Sequence, residues 1–395
     1  MKIDYSLITS ILDTDLYKLT QGQVVFYDFP EANVEYEFFN RGKNKFPEGF
    51  AKELRNQIQM MSLYCKMSHS EHQYLIGLNL FKKGYVEWLK NYEYNPDEVL
   101  IEQIDGELQI IIRGPWHRVI LWEVPLMALI SELYFLLTGQ KPSFDWSDRI
   151  VNKAKKLSCN SAKDGIPHNW IDMGTRRRFS MGVQDFVVCA MKNYPGFLGT
   201  SNPFLAKKYG VKAFGSIAHE FYMGMSAKYG VRLANIMTMK HWSEFYRGEL
   251  GTVLPDTFTT DVFLRDFDGY WARLYDIIRQ DSGNPHEWMD NKVVPHYAKL
   301  KINTITKTAL FSDSLNTDSY MVLSNKYRNN FKVVGGIGTH LTNDVGVTPL
   351  NIVVKLTKAD FGQGMVNVVK LSDHNGKHTG HCEAVRKVKE ELNIV

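Results

Sequence analysis

The chain has 395 residues, of which 44 % are hydrophobic and 23 % charged, the balance of a folded globular protein and not of a disordered chain or a membrane bundle. At ~150 residues per domain this length accommodates two domains, and it buries enough surface to need no disulfide or metal staple. Its 47 Lys plus Arg stand against 43 Asp plus Glu, a formal charge of +4, which is too slight to predict a nucleic-acid or membrane partner, so any anion site must be local.

The N-terminus, Met1 to Ser6, lacks the apolar core of a signal peptide. Asp13-Thr14-Asp15-Leu16-Tyr17-Lys18 opens the first helix, with Thr14 or Asp15 as its cap. Asn33–Phe39 alternates as a strand, while Ala51–Ser62 and Glu123–Leu137 carry helical apolar spacing. The most apolar stretch, Val119–Leu137, is interrupted by Glu123, Pro125 and Glu132, which predicts a buried helix and not a membrane span. Cys65, Cys159, Cys189 and Cys382 form no CxxC pair, and a reducing, cytoplasmic location follows as the expectation. GQKPSFDW, Gly139–Trp146, supplies Gly, Pro and Ser and marks the best boundary. This divides the chain into a mixed α+β unit over residues 1–140, a catalytic α/β unit over 141–350, and a segment over 351–395 that returns to the first unit.

Beyond the boundary, seven short apolar runs begin at Asn169, Phe197, Lys212, Thr252, Ile277, Ala309 and Lys332, spaced for repeated strand, loop, helix and loop. Nearly every run ends in polar or glycine-rich residues: DMGTRRR, GTSN, GSIAHE, PDTFTTD, RQDSG, SDS and GGIGTH. A barrel whose C-terminal rim carries the active site produces that pattern, although an open parallel sheet also binds ligands at that edge. Ile352–Leu356 and Val366–Leu371 complete the prediction as strands.

Several strand ends offer chemistry. Gly335-Gly336-Ile337-Gly338-Thr339 reads as a glycine-rich turn whose N–H groups can approach an anion, and the chain contains no GxxxxGK[ST] motif. Arg176, Arg177 and Arg178 stand side by side and need anionic partners if buried together, a solvated helix start with one internal salt bridge being the plainer reading. Asp281 and Asp313 suit ribose hydroxyls or a water-rich Mg²⁺ site, and Arg279 suits a planar or anionic group. His219 follows a run directly and can act as nucleophile or base, a capping role being its default. His374, His378, His381 and Cys382 are dense but match no zinc spacing.

Twelve segments in register, among them LDTDLYKLT (Leu12–Thr20), FFNRG (Phe38–Gly42), DMGTRRRFS (Asp172–Ser180), GSIAHE (Gly215–Glu220), DVFLRDF (Asp261–Phe267), GIGT (Gly336–Thr339), PLNIVVKL (Pro349–Leu356) and KLSD (Lys370–Asp373), resemble the bacterial nicotinate phosphoribosyltransferase family. The resemblance implies an irregular α/β barrel of the type II phosphoribosyltransferases joined to a smaller mixed α+β domain. It implies conversion of nicotinate, phosphoribosyl pyrophosphate, ATP and water to nicotinate mononucleotide, pyrophosphate, ADP and phosphate in NAD salvage, with Mg²⁺ accompanying the phosphates. By resemblance His219 carries a phosphoryl group from ATP, Asp281 and Asp313 meet ribose or Mg²⁺, and Gly336, Gly338 and Thr339 hold the 5′-phosphate. Arg176 and Arg279 flank nicotinate or pyrophosphate, Ser216 lies near the pyridine carboxylate, and Tyr17 stacks on the ring. In related enzymes that tyrosine comes from a second subunit, which implies a head-to-tail homodimer with a shared active site.

Three departures qualify these assignments. Met173 replaces a common Phe on one side of the ring, Ser216 a common Thr, and His340 a common Arg beside the glycines, where a mostly neutral imidazole is a poorer anion partner. A nicotinamide-using relative would carry an acidic residue at position 216, and a metal-dependent barrel hydrolase would show two or more histidines at strand ends, where only His219 has supporting context. A non-catalytic binding protein would have no use for the set His219, Asp281, Asp313 and the glycines together.

Overall fold

In the computed structural model, residues 3–158, 166–374 and 378–394 are described; Cys159 and the middle of the C-terminal turn HNGKHTGH lie outside them. The strands in chain order are β1 (Asn33–Asn40), β2 (Val99–Ile104), β3 (Glu107–Pro115), β4 (Asn169–Asp172), β5 (Phe197–Thr200), β6 (Lys212–Ala213), β7 (Thr252–Val253), β8 (Ile277–Gln280), β9 (Thr308–Phe311), β10 (Lys332–Ile337), β11 (Ile352–Asp360) and β12 (Val366–Asn367).

The seven apolar runs beyond residue 140 are β4 to β10, and they form one parallel sheet in the order β6-β5-β4-β10-β9-β8-β7. The sheet curls into a half-barrel. Among the described residues no ladder joins its edges, β6 and β7, so the barrel is open as well as irregular. Because every pair is parallel, the C-terminal ends of all seven strands lie on one rim, where ligands of such sheets bind.

The second sheet is antiparallel, in the order β12-β11-β1-β3-β2. β11 pairs with β1 along its whole length, from Asn33 opposite Asp360 to Asn40 opposite Ile352. The hairpin β2–β3 was not read from sequence, although its signal is there: Asp105-Gly106 turns with both φ angles positive, at 50° and 76°, the backbone that Asp-Gly adopts in two-residue hairpins. Leu108, Ile110 and Ile112 alternate inward along β3.

Three further expectations are corrected. Val366–Leu371 forms only the two-residue β12 and one isolated bridge, Lys370 to Thr379, because the chain leaves the sheet edge there to reach the rim. Asp15 occupies the N-cap of the first helix, Leu16–Asp28, but its side chain makes no capping bond; it accepts from Ser201 Oγ at 2.6 Å instead. The glycines of β10 are in the strand itself, Gly335 and Gly336 being paired with β4. The apolar stretch Trp116–Leu137 is long and apolar enough to cross a membrane, yet 83 % of its most apolar window is buried within the fold.

One buried charge cluster ties three helices together. The Lys18 ammonium, fully shielded from solvent, bonds both carboxylate oxygens of Glu220 at 2.8 and 2.7 Å and Glu123 Oε2 at 2.5 Å. Burial pushes Glu123 up, but Lys18, Lys355 and Arg176 outweigh it and hold the carboxyl below its ordinary range, while burial raises Glu220. Removing one partner strands the others without solvent. We expect Lys18→Met to lower the unfolding free energy by about 3–5 kcal/mol, whereas Lys45→Met, which breaks an exposed pair with Glu107, should change it by less than about 1 kcal/mol. Denaturant unfolding of the two variants measures the contrast.

Candidate active site

The turn after β4 is built by buried polar bonds. Asp172 accepts from the Gly174 N–H at 2.9 Å, Gln184 Nε2 at 2.9 Å and Thr200 Oγ1 at 2.8 Å, and burial lifts its pKa to about 6. Arg178 is fully buried and forks onto both oxygens of Asp13 at 2.6 and 2.7 Å. It is therefore the structural member of the arginine trio. Arg176 and Arg177 turn instead toward an open cleft; burial, then the neighbouring Arg176 and Arg41, hold Arg177 down at about 10.

That cleft, about 490 Å³ in volume, lies on the rim between the two sheets. Arg41, Arg176, Arg177, Arg279, Lys355 and Lys370 face it, against Asp281 and Asp313 as its carboxylates. Such a surplus of cations suits a ligand with several phosphate charges. Met173, Gly336, Gly338 and Thr339 line the same space. A Cβ on Gly336 would come within 2.5 Å of Met173 Sδ, and one on Gly338 within 3.0 Å of the Met173 carbonyl oxygen. These glycines thus permit close packing of β10 on β4 as well as close approach to the cleft. His340 also lines it, and burial followed by Lys153 lowers its pKa to about 4, so the imidazole there is neutral.

A narrower extension of about 50 Å³ runs from the cleft beneath β11. Its walls include Tyr17, Met223, Leu254, Val354 and Leu356, and it shares Arg176, Arg279, Asp281 and Lys355 with the main cleft. Tyr17 reaches this pocket from the same chain as His219. Ser216 is the outlier among the expected residues: it lines neither compartment, and its carbonyl accepts from Thr20 Oγ1 at 2.7 Å.

His219 begins the helix His219–Tyr229 and is almost fully buried. Its Nδ1 is 2.9 Å from Thr257 Oγ1. Its Nε2 is 2.9 Å from Lys370 Nζ and 3.0 Å from Asp281 Oδ2. Burial, then Lys370, holds the imidazole below its ordinary pKa, so it is neutral near pH 7. Nε2 thus faces an ammonium, which can only donate, and an ionised carboxylate, which can only accept; the two contacts favour opposite tautomers, and the one that leaves a lone pair on Nε2 places the proton on Nδ1, toward Thr257. Asp281 is fixed from the other side by Arg279 Nη2 at 2.9 Å and Ser312 Oγ at 2.8 Å. Burial favours its protonation, but Arg279, His219 and Lys370 outweigh it and keep the carboxyl well below the usual range.

His219, Asp256 and Asp281 converge closely enough to hold a metal ion, but Lys370 Nζ lies among them, 3.0 Å from Asp256 Oδ2. The ammonium already supplies the positive charge of that cluster, which does not fit a metal centre of the hydrolase kind. Among the described residues the C-terminal histidines and Cys382 form no such group. Asp313 is more open: it lines the cleft half-buried and, among the described residues, its side chain bonds only the neighbouring Ser314 hydroxyl, at 3.0 Å. It fits a Mg²⁺ that keeps several waters and phosphate ligands.

Sequence reading missed Asp256, Thr257, Lys355 and Lys370 as site residues. Each lies inside a segment already conspicuous, PDTFTTD, PLNIVVKL or KLSD, and the usable signal was a lysine within an otherwise apolar strand or strand-like run.

Comparison with known proteins agrees with this geometry. Residues 12–131 match the model of the nicotinate phosphoribosyltransferase N-terminal domain, and residues 168–395 that of the nicotinate phosphoribosyltransferase family. A nicotinate phosphoribosyltransferase of Desulforapulum autotrophicum is 44 % identical over 384 residues, covering 95 % of this chain and 97 % of the relative. Crystal structures of nicotinate phosphoribosyltransferases superpose closely. That from Porphyromonas gingivalis has a TM-score of 0.93 at 38 % identity, covering 98 % of this chain and all of the other. That from Vibrio cholerae has 0.92 at 31 %, covering 100 % and 95 %. Full-length matches of this kind, over a cationic cleft with a buried neutral histidine in the pocket that opens from it, establish that the chain belongs to the nicotinate phosphoribosyltransferase family.

Proposed function

We propose that the chain joins nicotinate to phosphoribosyl pyrophosphate, coupled to ATP hydrolysis, giving nicotinate mononucleotide, pyrophosphate, ADP and phosphate. The observation that carries this reading is His219, whose imidazole is held neutral and lines the narrow pocket that opens from a cleft rich in cations suited to phosphate.

In this reading Nε2 attacks the γ-phosphorus of ATP; the N–P bond forms as the P–O bond to ADP breaks, and no proton need leave the nitrogen first. Thr257, accepting from Nδ1–H, holds the ring, and Lys370 and Arg279 offset the incoming negative charge. Phosphoribosyl transfer breaks the C1–O bond of the sugar, with the electron pair leaving on pyrophosphate, while the pyridine nitrogen lone pair forms the C1–N bond. Arg41, Arg176 and Arg177 face the cleft where pyrophosphate charge would gather, and Gly336, Gly338 and Thr339 suit the 5′-phosphate. Water later cleaves the N–P bond and releases phosphate. Mg²⁺, when bound through Asp313 with Asp281 nearby, would shield phosphate charge and orient the leaving group.

The test is a labelling assay. Incubation with γ-labelled ATP should leave acid-labile phosphate on the wild-type chain and none on His219→Asn, with residual ATP-independent product retained; label persisting on the variant would remove His219 as the nucleophile. Gly338→Val should raise the KM for phosphoribosyl pyrophosphate by about tenfold or more with little change for nicotinate, as read by steady-state kinetics. The pH profile gives a further check. His219 works unprotonated, so phosphorylation should fall as pH drops through its folded pKa, below the ordinary histidine value. Lys370→Met removes a cation that depresses that pKa, so the acid limb should move to higher pH.

A further inference from the structure

The cations around the narrow pocket are almost all spoken for. Lys18 is bound by Glu123 and Glu220. Arg176 lies 3.6 Å from Asp15 and 3.9 Å from Glu123. Arg279 donates to Asp281 and Ser312 at 2.9 and 2.8 Å, and Lys370 to Asp256 at 3.0 Å and His219 at 2.9 Å. Lys355 is different. It projects from β11 at the junction of the cleft and the narrow pocket and lines both, yet among the described residues it forms no ion pair within 4.0 Å and no hydrogen bond. An ammonium held half-buried without a partner is costly unless a ligand supplies one.

The surroundings specify that ligand. Beside His219, Arg279 and Asp281 at its mouth, the narrow pocket is walled by Tyr17, Met223, Leu254, Val354 and Leu356, surfaces that suit the face of an aromatic ring. Its two glutamates, Glu123 and Glu220, already share Lys18 and would repel an entering anion that lacked its own cation. Burial brings the Lys355 pKa down to about 8, with Arg176 and Lys370 adding to the effect against Glu123 and Asp281; a bound carboxylate would restore it. Ser216, the residue expected to face the pyridine carboxylate, lines neither compartment.

We propose that Lys355 receives the ring carboxylate of nicotinate and thereby separates the acid from its amide. The assignment rests on the function proposed above. An amide bears no charge for the ammonium to pair with, so its binding should be indifferent to this residue.

Steady-state kinetics and equilibrium dialysis of labelled nicotinate on Lys355→Met, Lys355→Gln and Lys355→Arg test it. Removing the charge should raise the nicotinate KM and dialysis Kd about 10- to 100-fold. The KM for phosphoribosyl pyrophosphate should stay within about twofold, nicotinamide binding should be unchanged, and Lys355→Arg should recover most of the loss. Because Lys355 makes no direct pair with a protein carboxylate among the described residues, and Lys18 remains on Glu123, the Met variant should still fold, and the Gln variant provides a second readout of the same loss. The proposal is overturned if nicotinate binding is unaffected, if the phosphoribosyl pyrophosphate KM rises instead, or if acid and amide weaken alike. Failure of the wild-type chain to bind or convert nicotinate would overturn the functional reading itself, and this assignment with it; a wild type that converts nicotinate alongside an unimpaired Lys355→Met variant would overturn only the role of Lys355.

Discussion

The Lys18 ammonium, sealed between Glu123 and Glu220, is the interaction on which the site geometry depends. It joins the first helix to the apolar helix Glu123–Leu137 and to the helix that starts at His219. Glu220 follows His219 directly, so fixing that carboxylate fixes the turn from which the imidazole projects. A buried cluster of this kind is weak evidence for net stability, since desolvation offsets much of the attraction. What it supplies here is position: the ammonium must lie within bonding distance of two carboxylates from different helices, which leaves few arrangements of the three.

The remaining cations are arranged by a similar rule. Those that hold the fold are neutralised by protein carboxylates, as Arg178 is by Asp13. Those on the rim are only partly neutralised, as Arg41, Arg177 and Lys355 are, and the deficit is what a polyanionic substrate would fill. The formal charge of +4 over the whole chain averages across these two populations and so conceals the contrast between them.

Much of this was legible in the residues. The seven parallel strands announced themselves as apolar runs, each closed by polar residues, and His219, Asp281 and Arg279 indeed meet at their ends. Three things were not legible. The role of each arginine in the trio depends on which way a tight turn faces, and only the bond from Arg178 to Asp13, 165 residues apart in sequence, decides it. Lys355 and Lys370 stand out locally as lysines in apolar runs, but they acquire meaning only from β11 and the segment after β12 crossing the rim of the other sheet, a tertiary fact. Ser216 was assigned by family resemblance alone, and what the structure adds is that its carbonyl holds the first helix through Thr20.

The neutrality of His219 and the nearness of a cation are two sides of one device. Asp256 and Asp281 stand within 3.6 and 3.0 Å of its Nε2, and alone they would favour an imidazolium, which has no lone pair to give. Burial, and then Lys370 at 2.9 Å, reverse that preference before transfer by making a second positive charge unfavourable. After transfer the same two carboxylates would repel the phosphoryl group that the proposed reaction puts on Nε2, and the same ammonium, with Arg279 behind Asp281, would counter that repulsion. One lysine can serve both steps because its position is the same in each while the histidine, in the proposed reaction, changes from neutral base to carrier of negative charge. A metal ion in its place would coordinate Nε2 and block the attack, which gives a physical reason for an ammonium at the centre of a cluster whose other members could ligate a metal.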